Sequence, residues 1–188
     1  MEQPPLGAIV LTGGTAVRLD GADKASLEVA GETLLDRALA ALPACRDVVV
    51  VGPEVRTERP VTFRTEDPPF GGPAAGLVAG LGGFPARPSR VAVLAVDLPY
   101  VTAATWQRLD AAYAGDGAVL IDDGGRRALC GVFSTPALVA AGSGDVHGLS
   151  MRRLLDGLEL VDVVAIGDEA CDVDTWADVR ALREAFDA

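Results

Sequence analysis

Three short runs of apolar residues constrain this chain most: Leu6 to Leu11, Val48 to Val51 and Val91 to Val96. Each is continuous rather than alternating. That pattern suits a strand covered on both faces, and such strands belong to parallel sheets. Each run also ends in a breaker or an acid, Gly13-Gly14, Gly52-Pro53 and Asp97 respectively. Between them lie segments with helical spacing. Thr33 is an N-cap before Leu34, Leu35, Ala38, Leu39 and Leu42, with Pro43 as the stop. Pro73 suits the first turn of a helix through Leu77 and Leu81, and Thr102 caps one carrying Trp106, Leu109 and Tyr113.

Val61 to Arg64 is a weaker strand. Ala118 to Ile121 and Ala128 to Phe133 flank the hairpin-like turn Asp122-Asp-Gly-Gly. A helix over about 148–155, a strand near Leu160 to Ile166 and a terminal helix capped by Thr175 complete the reading. Strands alternating with helices predict an α/β sandwich on a mainly parallel sheet, with an antiparallel excursion at the hairpin. With 188 residues and 49% hydrophobic content, one domain spanning 1–188 is expected.

The formal charge of −11 argues against a nucleic-acid partner, which would require Lys and Arg to neutralise many phosphates. A small phosphorylated ligand needs only a local cluster of donors. No apolar run approaches the roughly 20 residues that cross a bilayer, and the N-terminus lacks the pattern of a secretory signal, so a cytoplasmic protein is expected. Cys45, Cys130 and Cys171 lack metal-site spacing and read as small buried apolar residues of a reducing compartment. Trp106, Trp176 and Tyr113 read as core or half-buried packing residues.

Four segments could carry chemistry. In Leu11-Thr-Gly-Gly-Thr-Ala-Val-Arg-Leu-Asp-Gly-Ala-Asp-Lys24, unobstructed amides at Gly13 and Gly14 can cradle an anion, and Arg18 and Lys24 can add charge-assisted contacts. An ordinary glycine-rich turn is the competing reading. The spacing fits neither the dinucleotide fingerprint nor the P-loop. Asp97, at the carboxyl end of a buried strand, is placed either to hold a divalent cation against phosphates or to cap the next turn. Asp172 and Asp174, two residues apart, either act together as ligands or serve as helix-start acids. Gly71-Gly-Pro-Ala-Ala-Gly76, after Asp67, lets backbone approach a base or ribose. His147, Arg152 and Arg153 either contact an acceptor phosphate or form a solvated face.

In this order, the segments resemble the molybdenum cofactor guanylyltransferase family, within the GT-A-like nucleotidyltransferases. That family's Leu-Ala-Gly-Gly, Arg and Asp-Lys elements resemble Leu11-Thr-Gly-Gly14, Arg18 and Asp23-Lys24. Its Gly-Pro-Leu-Ala-Gly loop resembles Gly72-Pro-Ala-Ala-Gly76 with Asp67. Asp97-Leu-Pro-Tyr100 and Asp172-Val-Asp-Thr-Trp176 are similar to its two later motifs. The likeness spans Gly7 to about Val179. Thr12 in place of Ala, Asp20 in place of Gly and Gly52-Pro53-Glu54 after the second strand depart from the pattern.

The resemblance implies a three-layer α/β/α sandwich with a nucleotide-binding N-terminal half and an acceptor-binding C-terminal half. It implies transfer of GMP from GTP to molybdopterin with release of pyrophosphate, and Mg²⁺ as cofactor. It makes Lys24, Arg18 and Asp97 catalytic. Leu11, Thr12, Gly13, Gly14, Lys24, Asp67, Gly72 and Asp97 would bind nucleotide, and Asp97, Asp172 and Asp174 would hold the metal. A monomer or weak homo-oligomer is expected. The alternatives are a cytidylyltransferase or other small-phosphate nucleotidyltransferase, or a non-catalytic nucleotide-binding relative.

Overall fold

In the computed structural model, residues 6–13, 23–69 and 71–186 are described. The three apolar runs form the centre of the sheet. β1 (Leu6–Leu11) pairs in parallel with β4 (Val48–Val51) on one side and β6 (Arg90–Ala95) on the other. Beyond β4 lies β5 (Thr62–Arg64), also parallel; beyond β6 lies β8 (Arg127–Ser134), antiparallel. β7 (Gly117–Ile121) runs alongside β8. The Asp122 N–H donates to the Arg126 carbonyl (2.9 Å) at one end, and the Ser134 N–H to the Asp116 carbonyl (2.8 Å) at the other. β9 (Leu160–Val164) pairs in parallel with β7 and closes the edge. Of these seven strands only β8 runs against the rest, which is the expected antiparallel excursion.

Alternation along each strand builds two cores. Ala8, Val10, Val50 and Leu94 face one side; Ile9, Leu11, Val51 and Val93 face the other. The first side is covered by α1 (Leu34–Ala41), α3 (Ala103–Ala112) and α6 (Trp176–Phe186), through Leu35, Trp106, Leu109 and Leu182. The second is covered by α2 (Gly72–Leu81), α4 (Thr135–Ala141) and α5 (Met151–Leu155), through Leu77, Leu138 and Leu154. This is a three-layer α/β/α sandwich, and burial on both faces explains why the strands read as unbroken apolar runs.

The caps follow the sequence. Thr33 Oγ1 accepts from the Asp36 N–H at 3.0 Å. At α6, Thr175 Oγ1 accepts from the Asp178 N–H while Asp178 Oδ2 accepts from the Thr175 N–H, so each end satisfies the other. Glycine lets α2 sit close to the sheet: a Cβ on Gly80 would lie 2.9 Å from Ile9 Cγ2 and 3.0 Å from Val51 Cγ2.

The structure departs from the sequence reading at several points. α4 and a small hairpin, β2 (Glu28–Val29) with β3 (Glu32–Thr33), were not expected. The late helix begins at Met151 rather than near Gly148. Tyr113 is the C-cap of α3 rather than part of it. Trp176 is 38% exposed, because it sits at the first position of α6 while Val179 and Leu182 carry the buried face. Of the cysteines only Cys130 is buried; Cys45 is intermediate and Cys171 exposed. No described helix is long and apolar enough to cross a membrane.

Candidate active site

The parallel strands β1 and β6 end side by side, Leu11 opposite Ala95, and both chains leave the sheet there. Ligands of open α/β sheets bind at this edge, where strand ends leave backbone groups without ladder partners. A cavity of about 300 Å³ opens at this edge, lined by Leu11, Thr12, Gly13, Lys24, Asp97 and Asp172 among others.

Each of these residues is held by local structure. The Thr12 N–H donates to the Val51 carbonyl at 3.0 Å and its Oγ1 donates to the same carbonyl at 3.0 Å, which turns the chain toward Gly13. Asp23 caps a single 3-10 turn, Lys24–Ser26, by accepting from the Ala25 N–H (3.1 Å) and Ser26 Oγ (2.8 Å); Lys24 is the first residue of that turn. Val96 N–H donates to the Leu11 carbonyl at 3.0 Å, fixing the step that leads to Asp97. The Val173 N–H donates to the Asp97 carbonyl at 2.9 Å, which lays the Asp172–Asp174 segment beside the end of β6.

These constraints converge on one ammonium group. Lys24 Nζ donates to Asp97 Oδ2 at 2.9 Å and to Asp174 Oδ1 at 2.6 Å. The lysine side chain is 12% exposed. Burial alone would lower its pKa, but the bonds and charges of Asp174 and Asp97 outweigh burial and hold it above the ordinary 10.5. The group is therefore a fixed cation at neutral pH, flanked by two carboxylates at the mouth of the cavity.

Among the residues expected at the site, Leu11, Thr12, Gly13, Lys24, Asp97 and Asp172 line one cavity, and Asp174 joins through Lys24. Asp172 points elsewhere: Arg126 Nη1 lies 3.5 Å from its Oδ2. Among the described residues no three acidic, histidine or cysteine side chains cluster as a ready metal site, so Asp97, Asp172 and Asp174 do not form one set. Asp67 is exposed on the loop before α2 and outside the cavity lining. Gly72 opens α2 at φ +86°, a conformation suited to glycine, beside Pro73, which does line the cavity. Gly14, Arg18 and Asp20 lie outside the described residues. His147, Arg152 and Arg153 are exposed; the loop carrying His147 is tied to α2 where the Gly148 N–H donates to the Gly71 carbonyl (2.8 Å).

Two cavity residues escaped the sequence reading. Arg126, just before β8, and Arg127, its first residue, are charged members of the cavity lining. The adjacent pair, directly after the hairpin turn in a strongly acidic chain, was the available signal.

The sequence profile of the MobA-like NTP transferase domain matches residues 8–163. The chain belongs to the MobA-like NTP transferase family. The family is one of enzymes that transfer nucleotidyl groups. A probable molybdenum cofactor guanylyltransferase of Opitutus terrae is 35% identical over 177 residues, covering 87% of this chain and 86% of the relative. Among solved structures, a nucleotidyl transferase from Methanothermobacter thermautotroptrophicus superimposes with a TM-score of 0.73 at 20% identity, covering 97% of both chains. Molybdopterin-guanine dinucleotide biosynthesis protein A from Archaeoglobus fulgidus gives 0.72 at 19% identity, covering 96% of this chain and 98% of the other. At these identities the two structures establish a shared nucleotidyltransferase fold.

Proposed function

We propose that the chain transfers GMP from GTP to the phosphate of molybdopterin, releasing pyrophosphate. The observation that carries this reading is the convergence of Lys24, Asp97 and Asp174 beside Thr12 and Gly13, at the carboxyl edge of a parallel sheet. The name of the Opitutus terrae relative supports the guanylyl donor and the molybdenum-cofactor acceptor.

The donor set suits Mg²⁺. Two carboxylate oxygens already meet at one cationic centre, and Mg²⁺ is commonly held by one or two carboxylates plus substrate phosphates and water. Asp97 and Asp174 would hold the ion, while Asp172 pairs with Arg126 in the same cavity lining. When bound, Mg²⁺ supplies charge neutralisation to the triphosphate.

The chain's own residues supply the rest. The Thr12 to Gly13 backbone approaches phosphate oxygens without a side chain at Gly13 to obstruct them, since a Cβ there would meet nothing within 4 Å. Lys24 exchanges its carboxylate partners for phosphate oxygens, so its charge is present before the nucleotide arrives. Arg126 and Arg127 add cations to the cavity lining, and an acceptor phosphate would meet them there. A phosphate monoester is largely ionised at neutral pH, with a second pKa of about 6, so the attacking oxygen needs no protein base. Positioning and charge neutralisation then account for rate enhancement. One domain, with nucleotide held by its N-terminal half and acceptor by its C-terminal half, fits this division of labour.

The test is a thermal-shift panel of GTP, CTP, UTP and ATP with Mg²⁺, followed by pyrophosphate release with molybdopterin. Selective stabilisation by GTP and release dependent on molybdopterin are expected. Selectivity for CTP would reassign the donor, and no shift with any nucleotide would overturn the reading.

A further inference from the structure

Glu169 is a charged residue buried away from the reacting groups, at 7% exposure, and nothing in the proposed chemistry uses it. Its carboxylate takes four donors. Thr105 Oγ1 donates to Oε1 at 2.6 Å, Arg108 donates to Oε1 (3.1 Å) and Oε2 through both terminal nitrogens, and the Ile166 N–H donates to Oε2 at 2.8 Å. Thr105 and Arg108 are one turn apart on α3, so both face the same way. The arrangement is a fork-to-fork arginine pair with two further donors filling the remaining lone pairs, the condition under which a buried carboxylate is well held.

What this cluster holds is the turn between β9 and the acidic segment. Three residues after Glu169 comes Asp172, and two further on is Asp174, whose Oδ1 lies 2.6 Å from Lys24 Nζ. Between them, the Val173 N–H donating to the Asp97 carbonyl is the one main-chain tie to the sheet edge among the described residues. The Asp172–Asp174 segment has no strand partner; its downstream end is tied where the Asp174 N–H donates to Asp178 Oδ2 at 3.0 Å, which leaves its upstream end to be set by the turn that carries Glu169. The Glu169 anchor sits directly upstream, and Ala170, buried next to it, forms part of the cavity wall.

We infer that Glu169 is a positioning residue for nucleotide binding: clamped by Thr105 and Arg108 of α3, it sets the 170–174 segment so that Asp174 meets Lys24 beside Asp97. The role rests on the nucleotide-binding function proposed above, acting through Asp174 rather than by touching ligand. Outer partners of this kind commonly change ligand affinity by about 10- to 100-fold when removed.

Two measurements on the full chain test it. Hydrogen exchange without any ligand compares wild type with Glu169→Gln, which keeps the shape but turns an amide NH₂ toward the donors of α3. Faster exchange is expected at residues 170–174, above all at the Val173 amide, with β1 and β6 unchanged; unchanged protection at Val173 overturns the inference whatever the nucleotide result. The second is a double-mutant cycle on the Kd of Mg·GTP. Glu169→Gln is expected to weaken binding about tenfold in the wild-type background and less than about twofold on Asp174→Ala, because its effect passes through that residue. A general loss of packing would instead lower affinity equally in both backgrounds, and that result overturns the inference. If wild type fails to bind Mg·GTP, the proposed function falls while the exchange result still decides the positioning role. Should Glu169→Gln fold poorly, Arg108→Lys removes the fork while keeping the charge and is read in the same two ways.

Discussion

Lys24 and Asp174 stand 150 residues apart in sequence and 2.6 Å apart in space. With Asp97 on the other side of the same ammonium, one cation is held between two carboxylates, so the resting cluster keeps a surplus of negative charge before any ligand enters. Lys24→Met removes the cation and leaves two carboxylates facing each other. Affinity for Mg·GTP should fall about tenfold or more, since a hydrogen bond to a charged group contributes about 1.5–3 kcal/mol. Divalent ions alone should bind the variant more tightly than wild type, because they no longer compete with an ammonium. Isothermal titration with MnCl₂ and then with nucleotide reads both; weaker Mn²⁺ binding by the variant would count against Asp97 and Asp174 as the metal's ligands.

Thr12 and Gly52 form a second interdependent pair. A Cβ on Gly52, at φ +152°, would lie 1.9 Å from Thr12 Oγ1. Gly52→Ala should therefore destabilise the fold by about 1–3 kcal/mol through overpacking. Thr12→Ala alone should cost about 1 kcal/mol for its bond to the Val51 carbonyl. In the double variant the clash is gone, so urea denaturation should show less destabilisation than the sum. Strict additivity would mean that backbone strain, not the hydroxyl, disfavours a side chain at 52.

Gly80→Val tests how closely α2 lies on the sheet. The added methyls would enter space held by Ile9 and Val51, at a cost of about 1–3 kcal/mol. Gly76→Ala, where the nearest sheet atoms are 3.6 and 3.8 Å away, should be neutral or stabilising as a helix-favouring change. Equal effects at the two positions would show that propensity, not proximity, governs α2.

The Glu169 cluster predicts a particular acid response. Burial would raise the Glu169 pKa, but the donors from Arg108, Thr105 and the Ile166 amide outweigh burial and bring it below the ordinary 4.5. A group depressed in the folded state contributes stability that is complete above its unfolded pKa and lost as pH falls through the folded value. At neutral pH, Glu169→Gln should cost about 3 kcal/mol by breaking the pair with Arg108. That difference should shrink as pH falls below the ordinary carboxylate value of 4.5 and through the lower folded-state one. A melting-temperature difference that stays constant over that range would place the carboxylate's contribution in shape rather than charge.

The layers of the fold were legible because a doubly covered sheet writes itself as unbroken apolar runs. Val48 to Val51 could hardly be anything else, and Leu6 to Leu11 and Val91 to Val96 ended where the strands end, give or take one residue. α4 was hidden because Ser134 ends β8 and caps the helix at once, leaving no loop between two apolar stretches. β2 and β3 are two residues each, too short for alternation to show. At the site, Lys24 and Asp97 were found from their local settings, a glycine-rich irregular stretch and a strand end. That the lysine would bind both carboxylates was not visible, since it depends on three distant segments meeting. Glu169 was missed for the same reason: its partners lie 61 and 64 residues earlier, on a helix whose sequence gives no sign of holding an acid.

The Val173 amide closing on the Asp97 carbonyl has a further consequence for synthesis. Asp174 is the last of the three groups to be synthesised, so the Lys24–Asp97–Asp174 cluster cannot form until residues well past β6 have emerged from the ribosome. A copy cut before Asp174 keeps Lys24 and Asp97 but lacks the second carboxylate at the ammonium.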